Sequence, residues 1–218
     1  MNYYLNVAIS MLIGVAAIIA IIKWRRISEA YHPFLVLLCA GFINEITSVL
    51  AIKYYYTNVV NYNIYLLFEM WLVLLFFKKM NMFQQRTWLF RLLLFLTTTW
   101  WVVEILFIKS IFTFNHYTII LYSFITLVLA SAYIVYLIFY ETSRLLQEAR
   151  FLISLGLAVF AAVSLLIESI YLYALGLSSS FRLELQYLQS YANLFTNIIF
   201  IIAVIWIPTK RRYILRLQ

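Results

Sequence analysis

The chain has 218 residues, 66% of them apolar and only 11% charged, with 4 Gly and 2 Pro. Water-soluble domains sit nearer half apolar and a quarter charged, so this composition does not fit one. A membrane-crossing helix needs about 20 apolar residues, so the length holds about seven crossings and no separate soluble catalytic domain. The lone cysteine, Cys39, offers no internal disulfide and says nothing about redox compartment. An excess of 16 Lys+Arg over 8 Asp+Glu would point to nucleic acid in a soluble protein. In a chain this apolar it reads first as a topology signal.

Apolar runs separated by charged or Tyr/Asn/Ser-rich breaks predict seven helices, over residues 4–22, 33–52, 58–77, 88–108, 117–139, 151–175 and 187–207. Pro33 suits the first turn of the second helix and Pro208 the exit from the last. No segment shows the ten-residue alternation of a membrane barrel strand. Connections of about 5 to 12 residues, without linkers or low-complexity tracts, predict an all-α fold: a single seven-helix transmembrane domain over residues 1–218.

Thirteen basic residues fall on one set of connections: Lys23, Arg25, Arg26, Lys78, Lys79, Arg86, Arg91, Arg144, Arg150, Lys210, Arg211, Arg212 and Arg216. The opposite set holds three, Lys53, Lys109 and Arg182. Such a bias predicts the N-terminus outside and the C-terminus in the cytoplasm. No basic residue precedes the first span and no small-residue cleavage site follows it, so it reads as a retained helix. The expected location is a cell membrane, a bacterial inner membrane in this reading. The inner basic residues are topology determinants and anionic-lipid contacts. The functional alternative makes Arg25, Arg26, Lys78, Lys79, Lys210, Arg211 and Arg212 a docking surface for a cytoplasmic partner. The tail from Lys210 to Leu217, basic and apolar by turns, suits an interfacial segment or a partner helix. Nucleic acid is not an expected partner.

All eight acidic residues are Glu, and four of them lie inside predicted spans: Glu45, Glu69, Glu104 and Glu168. At about 1.5 Å per residue Glu69 sits near the midplane, Glu45 about 4 Å outward, and Glu104 and Glu168 about 7–9 Å outward. Each would cost about 2–3 kcal/mol facing lipid, so all four are expected to face the bundle interior. No Lys or Arg lies at matching depth. The carboxylates must therefore be protonated and hydrogen-bonded, bind a cation, or line a wet cavity. Polar stripes on the same helices suggest a shared centre: Asn44, Glu45 and Ser48; Tyr62, Tyr65 and Glu69; Thr97, Trp101 and Glu104; Ser164, Glu168 and Tyr171. The last helix adds Gln186, Gln189, Ser190, Asn193, Thr196 and Asn197 at spacings of three and four. The expected site is an outward-facing carboxylate pocket of Glu45, Glu69, Glu104, Glu168, Asn44, Gln189, Asn193, Asn197 and Trp101. Trp71, Trp100 and Trp101 are candidate aromatic walls for an organic cation. The competing reading is structural, since polar residues also glue membrane helices.

His32 and His116 lie at opposite faces and cannot share a metal, which argues against zinc-dependent membrane hydrolases of the ceramidase or adiponectin-receptor type. His116, near the outer ends of Glu104 and Glu168, is a candidate to join the polar cluster; the alternative is an interfacial histidine. The last span lacks the lysine a rhodopsin needs. No Asp-Arg-Tyr follows span three and no Asn-Pro-x-x-Tyr lies in span seven, as G-protein-coupled receptors would require. No phosphate loop, Ser-His-Asp set or paired-cysteine motif occurs, so no enzyme and no cofactor is nominated. A weak internal similarity aligns residues 42–46 with 166–170 and Glu69 with Asn193. It would correspond to a three-plus-one-plus-three repeat of the kind found in SWEET and PnuC transporters, although the Pro-Gln signature of the SWEET group is absent. Three readings follow: a receptor or sensor-like subunit that binds a small solute, cation or proton and relays to a cytoplasmic partner; a proton-coupled secondary transporter; or a structural subunit with no ligand. With Pro33, Gly176 and Pro208 at span ends, only Gly14, Gly41 and Gly156 loosen the helix interiors, which favours continuous helices and the first reading.

Overall fold

The computed structural model describes residues 3–140, 145–173 and 178–209. Among these, regular structure is helical apart from one antiparallel bridge between Ile27 and Thr209. Seven helices are long and apolar enough to cross a membrane: α1 (Leu5–Arg26), α2 (Glu29–Tyr55), α3 (Val59–Lys79), α4 (Thr87–Ile108), α5 (His116–Tyr140), α6 (Ala149–Tyr173) and α7 (Ser179–Trp206). Helix is what such a sequence must form in hydrocarbon, because it satisfies every interior backbone N–H and C=O within the segment.

Each helix extends past its predicted apolar run at one end or both, since hydropathy marks the hydrocarbon slab and local capping marks the helix. The largest extension is at α7, which starts at Ser179 where hydropathy alone predicts residue 187. Ser178 caps it, its hydroxyl accepting from Phe181 N at 3.3 Å. Pro33 occupies the first turn of α2 as expected. At the end of α3, Asn81 takes a left-handed conformation (φ 63°), and Met82 N donates to Phe77 O (3.1 Å) while Asn81 N donates to Lys78 O (3.1 Å). That paired closure satisfies two terminal carbonyls, and Asn is among the few residues that tolerate the backbone it needs. Two helices are irregular within their length. In α1, Leu12 N bonds Ile9 O and Val15 N bonds Leu12 O, a tightened turn. The last turn of α4, Glu104–Ile108, widens to a π turn.

Neighbouring helices follow a closed circuit, α1–α2–α3–α5–α6–α7 and back to α1, with α4 outside it against α3 and α5. Only 11% of the most apolar window of α4 is buried, against 50% for α5 and for α6, which fits a peripheral helix. Short connections alternate between two ends of the circuit. The N-terminal face carries the start of α1 and the α2–α3, α4–α5 and α6–α7 connections. The opposite, basic face carries Lys23, Arg25, Arg26, Lys78, Lys79, Arg86 and Arg150. Arg144, Lys210, Arg211, Arg212 and Arg216, assigned to the same end by sequence, lie outside the described residues. Lys23 ties α1 to the end of α7 by donating to Val204 O (3.2 Å) and Ile205 O (2.6 Å). A cation is favoured at these terminal carbonyls.

The two halves of the interior differ. Toward the basic face it is filled by aromatic rings in contact: Phe34 with Phe76 (6.0 Å) and Phe200 (5.1 Å), Phe76 with Phe77 (5.2 Å), and Phe77 with Tyr133 (5.9 Å). Toward the N-terminal face a cavity remains. Glycines allow the close crossings that hold the circuit together: a Cβ on Gly14 would lie 2.5 Å from Phe42, on Gly41 2.6 Å from Ile13, and on Gly156 2.6 Å from Phe200. The three interior glycines are therefore packing sites.

Gly156→Leu is expected to lower the stability of the purified protein by about 1–3 kcal/mol, because the added side chain must displace the Phe200 ring. Thermal unfolding in detergent followed by circular dichroism reads this, and an unchanged midpoint would contradict the packing role.

Candidate functional site

The cavity has a volume of about 360 Å³ and lies inside the helix circuit. Its walls come from α1 (Ile13), α2 (Gly41, Asn44, Glu45, Ser48), α3 (Tyr62, Tyr65, Glu69), α6 (Leu157, Phe160) and α7 (Asn193, Thr196, Asn197, Phe200). Asn58 and Phe114 mark its end at the N-terminal face, and Leu37, Leu38 and Phe200 lie at its base. Glu45 and Glu69 are the only ionised-type side chains among the lining residues; no Lys, Arg or His is present.

Ser10 of α1 approaches Glu45, and Tyr122 of α5 approaches Glu69. The two acids lie close enough to interact electrostatically with each other. A chain of amides runs behind Glu45: Asn193 Nδ2 donates to Ser10 Oγ (3.4 Å), and Asn197 Nδ2 donates to Asn193 Oδ1 (3.2 Å) and Ile9 O (3.2 Å). On the other side Asn61 Nδ2 donates to Asn44 Oδ1 (2.8 Å) and Ser48 Oγ (2.9 Å), and Thr47 Oγ1 donates to Asn61 Oδ1 (3.0 Å), clasping α2 to α3. Amides and hydroxyls are thus tied to one another, while the carboxyl groups of Glu45 and Glu69 face the hollow.

The four glutamates do not form one layer. Glu104 is fully buried (0% exposed) away from the cavity. Its carboxylate accepts from Thr118 N (2.6 Å), Thr118 Oγ1 (2.7 Å) and Tyr117 N (3.2 Å). Two of these donors are backbone amides in the first turn of α5 and the third is a hydroxyl there, so Glu104 serves as a cap supplied by a neighbouring helix. The π turn beginning at Glu104 belongs to the same junction. Trp101, expected as a cavity wall, instead donates through Nε1 to Asn63 O (2.9 Å). Asn63 in turn holds the α4–α5 connection by donating to Ile111 O (2.9 Å) and Thr113 O (2.8 Å).

Glu168 is not without a counter-group: its Oε2 lies 2.5 Å from His116 Nδ1. His116, a candidate for the polar cluster from its sequence position, supplies the partner that no Lys or Arg provides at this depth. This pair sits at the edge of the cavity, with Phe114 between His116 (6.2 Å) and Tyr62 (5.8 Å). Gln189 is also outside the lining and donates to Ser164 Oγ across α6 and α7 (3.3 Å). Trp71 donates to Thr98 Oγ1 (2.9 Å), and neither it nor Trp100 lines the cavity. The aromatic walls are Tyr62, Tyr65, Phe114, Phe160 and Phe200. Asn44 and Glu168, which fall opposite each other in the internal similarity, have different surroundings, whereas Glu69 and Asn193 line the same space.

Sequence reading missed Ser10, Asn61 and Tyr122. Asn6 and Ser10 recur at a spacing of four in an otherwise apolar first helix, as do Tyr122 and Thr126 in the fifth, and those short polar pairs were the available signal. Among the described residues no three His, Cys, Asp or Glu side chains gather as a metal set. No family model, curated protein or solved structure matches this chain.

The division of labour is testable through stability. Glu104→Gln places an amide donor against backbone and hydroxyl donors, and is expected to cost about 1–3 kcal/mol. Glu45→Gln retains an acceptor for Ser10 and should leave the unfolding midpoint near that of the wild type. Equal losses in both variants would show that the two acids do not differ in role.

Proposed function

We propose that this chain is a multi-pass cell-membrane protein, N-terminus outside, that acts as a receptor or sensor-like subunit for a small cation. The orientation rests on the basic residues collected at one face, which the positive-inside rule assigns to the cytoplasm; a bacterial inner membrane is the proposed setting. The single observation that carries the ligand reading is the pairing of Glu45 and Glu69 in one cavity with no cationic side chain among its lining residues. Two carboxylates in such a space attract a cation from outside, and a protonated or quaternary amine matches the tyrosine and phenylalanine walls as well. The volume lies at the small end of ligand sites.

Relay to a cytoplasmic partner is part of this reading. The cavity floor, Phe200, touches Phe34 at the start of α2, and α2 begins three residues after Arg26. Arg25, Arg26, Lys78 and Lys79 are exposed on that face, as a docking surface requires. Lys210, Arg211 and Arg212, proposed for the same surface, lie outside the described residues.

Proton-coupled transport is the second reading. What favours it is the tightened turn at Leu12, next to the cavity residue Ile13, because transporters place irregular helices beside their sites. The aromatic packing below the cavity would then be the closed inner gate.

Equilibrium dialysis of the purified protein with radiolabelled choline, putrescine and phenethylamine tests the site. At least one is expected to bind, and Glu69→Gln should weaken it by at least about tenfold, or about 1.4 kcal/mol. Affinity should fall on acidification, since protons compete with the cation for the carboxylates. No binding by any of the three would sink the proposal. Uptake of a bound amine into proteoliposomes, driven by an imposed pH gradient and lost in Glu45→Gln, would move the function from sensing to transport.

A further inference from the structure

A second cavity lies on the basic face, outside the helix circuit, in the angle between the start of α4 and the end of α5. Its volume is about 620 Å³. Residues 80–86 of the α3–α4 connection form its rim, with Asn81, Gln84, Gln85 and Arg86 providing polar groups. Arg150 at the start of α6 closes the far side, fixed by donation from its Nε to Glu148 Oε1 (2.8 Å). Arg86 is exposed, and among the described residues no carboxylate pairs with it. The inner wall is apolar and aromatic: Leu89 of α4, and Leu129, Ala132, Tyr133 and Tyr136 of α5. Leu129 lies eleven residues before the end of α5, so the fissure descends about 16 Å from that end.

We propose that this fissure is a binding site for an anionic phospholipid, with the phosphate between Arg86 and Arg150 and the glycerol and first acyl carbons over Leu89, Leu129 and Ala132. Three features select a lipid over a soluble anion. The site has a cationic, amide-rich mouth at the level where headgroups lie. Its apolar floor continues from that mouth toward hydrocarbon depth, which a free phosphate has no use for. It also opens beside α4, the least buried helix, so lipid can enter sideways from the bilayer. The rim is preformed, because the left-handed Asn81 and the bonds Gln84 N to Asn81 O (3.2 Å) and Arg86 N to Phe83 O (3.0 Å) hold the connection in place. Arg guanidinium is suited to phosphate by its planar fork of donors. The site is independent of the Glu45–Glu69 cavity, so either assignment can fail without the other.

Native mass spectrometry of the full chain, titrated with phosphatidylglycerol or phosphatidylcholine, tests this. The wild type should retain phosphatidylglycerol in preference to phosphatidylcholine, and Arg86→Gln should reduce that retention by about fivefold, the equivalent of one basic contact near a membrane surface. Arg86 makes no side-chain cap of α4, so the variant is expected to fold. Ala132→Trp, which fills the fissure without changing charge, should reduce retention of the same lipid. Equal retention of both lipids would overturn the proposal, as would retention of phosphatidylglycerol unchanged in both variants. Inorganic phosphate displacing the lipid at millimolar concentration would also overturn it, by assigning the site to a soluble anion.

Discussion

A carboxyl group in a bundle of apolar helices must be met by something, and how each one is met organises this molecule. The cost of an unmet charge at hydrocarbon depth is several kcal/mol, comparable to a large part of a domain's net stability. Glu104 is met by the first-turn amides of α5 and becomes a joint between helices. Glu168 is met by His116. Glu45 and Glu69 have the hydroxyl residues Ser10 and Tyr122 beside them and line the same open space. The same residue type therefore has three physical situations in one chain, and in the last of them the carboxyl faces open space.

That open space is preserved by the way the remaining polar groups are engaged. Asn44, Asn61, Asn193 and Asn197 would be adequate partners for a carboxyl group, yet each is already bonded to a neighbouring amide, hydroxyl or carbonyl. The clasp between α2 and α3 and the amide chain between α1 and α7 hold the walls apart. Filling of the opposite half by Phe34, Phe76, Phe77 and Phe200 keeps the hollow from running through the bundle. A preorganised, one-sided site of this kind avoids the ordering cost that a collapsible one would incur on binding.

Sequence reasoning recovers the helices well because each is marked twice, by a long apolar run and by flanking charge. It places their ends less well, as Ser179 shows, because a serine cap lies outside the hydrophobic signal. The site was half legible. Periodicity set Glu45, Tyr62, Tyr65, Glu69, Asn193 and Asn197 on inward stripes, and those residues do converge. Depth along an axis says nothing about azimuth around the bundle, however, and Glu104 and Trp101 share the depth of the site without sharing its space. Glu104 points toward α5 because α4 lies outside the circuit, a fact of helix neighbourhood that no single helix records. His116 was legible as a candidate for the cluster from its position beside the outer end of Glu168, and the packing of α5 on α6 makes it the counter-group.

The three glycines carry a related lesson about mobility. A glycine inside a membrane helix is open to two interpretations, a hinge or a contact. Gly14, Gly41 and Gly156 each face a bulky side chain at a distance that no Cβ tolerates, so each marks a crossing. Gly156 receives Phe200, which is at once the floor of the cavity and part of the aromatic packing beneath it. A ligand pressing on that ring has little room to be accommodated locally, because α6 already lies against its edge. In the proposed relay, displacement of the ring would pass to Phe34, its edge-on neighbour, and to the start of α2, beside the basic face. Close packing at one glycine thereby makes the floor of the cavity stiff, and a stiff floor is what the proposed coupling between the two sides of the bundle requires.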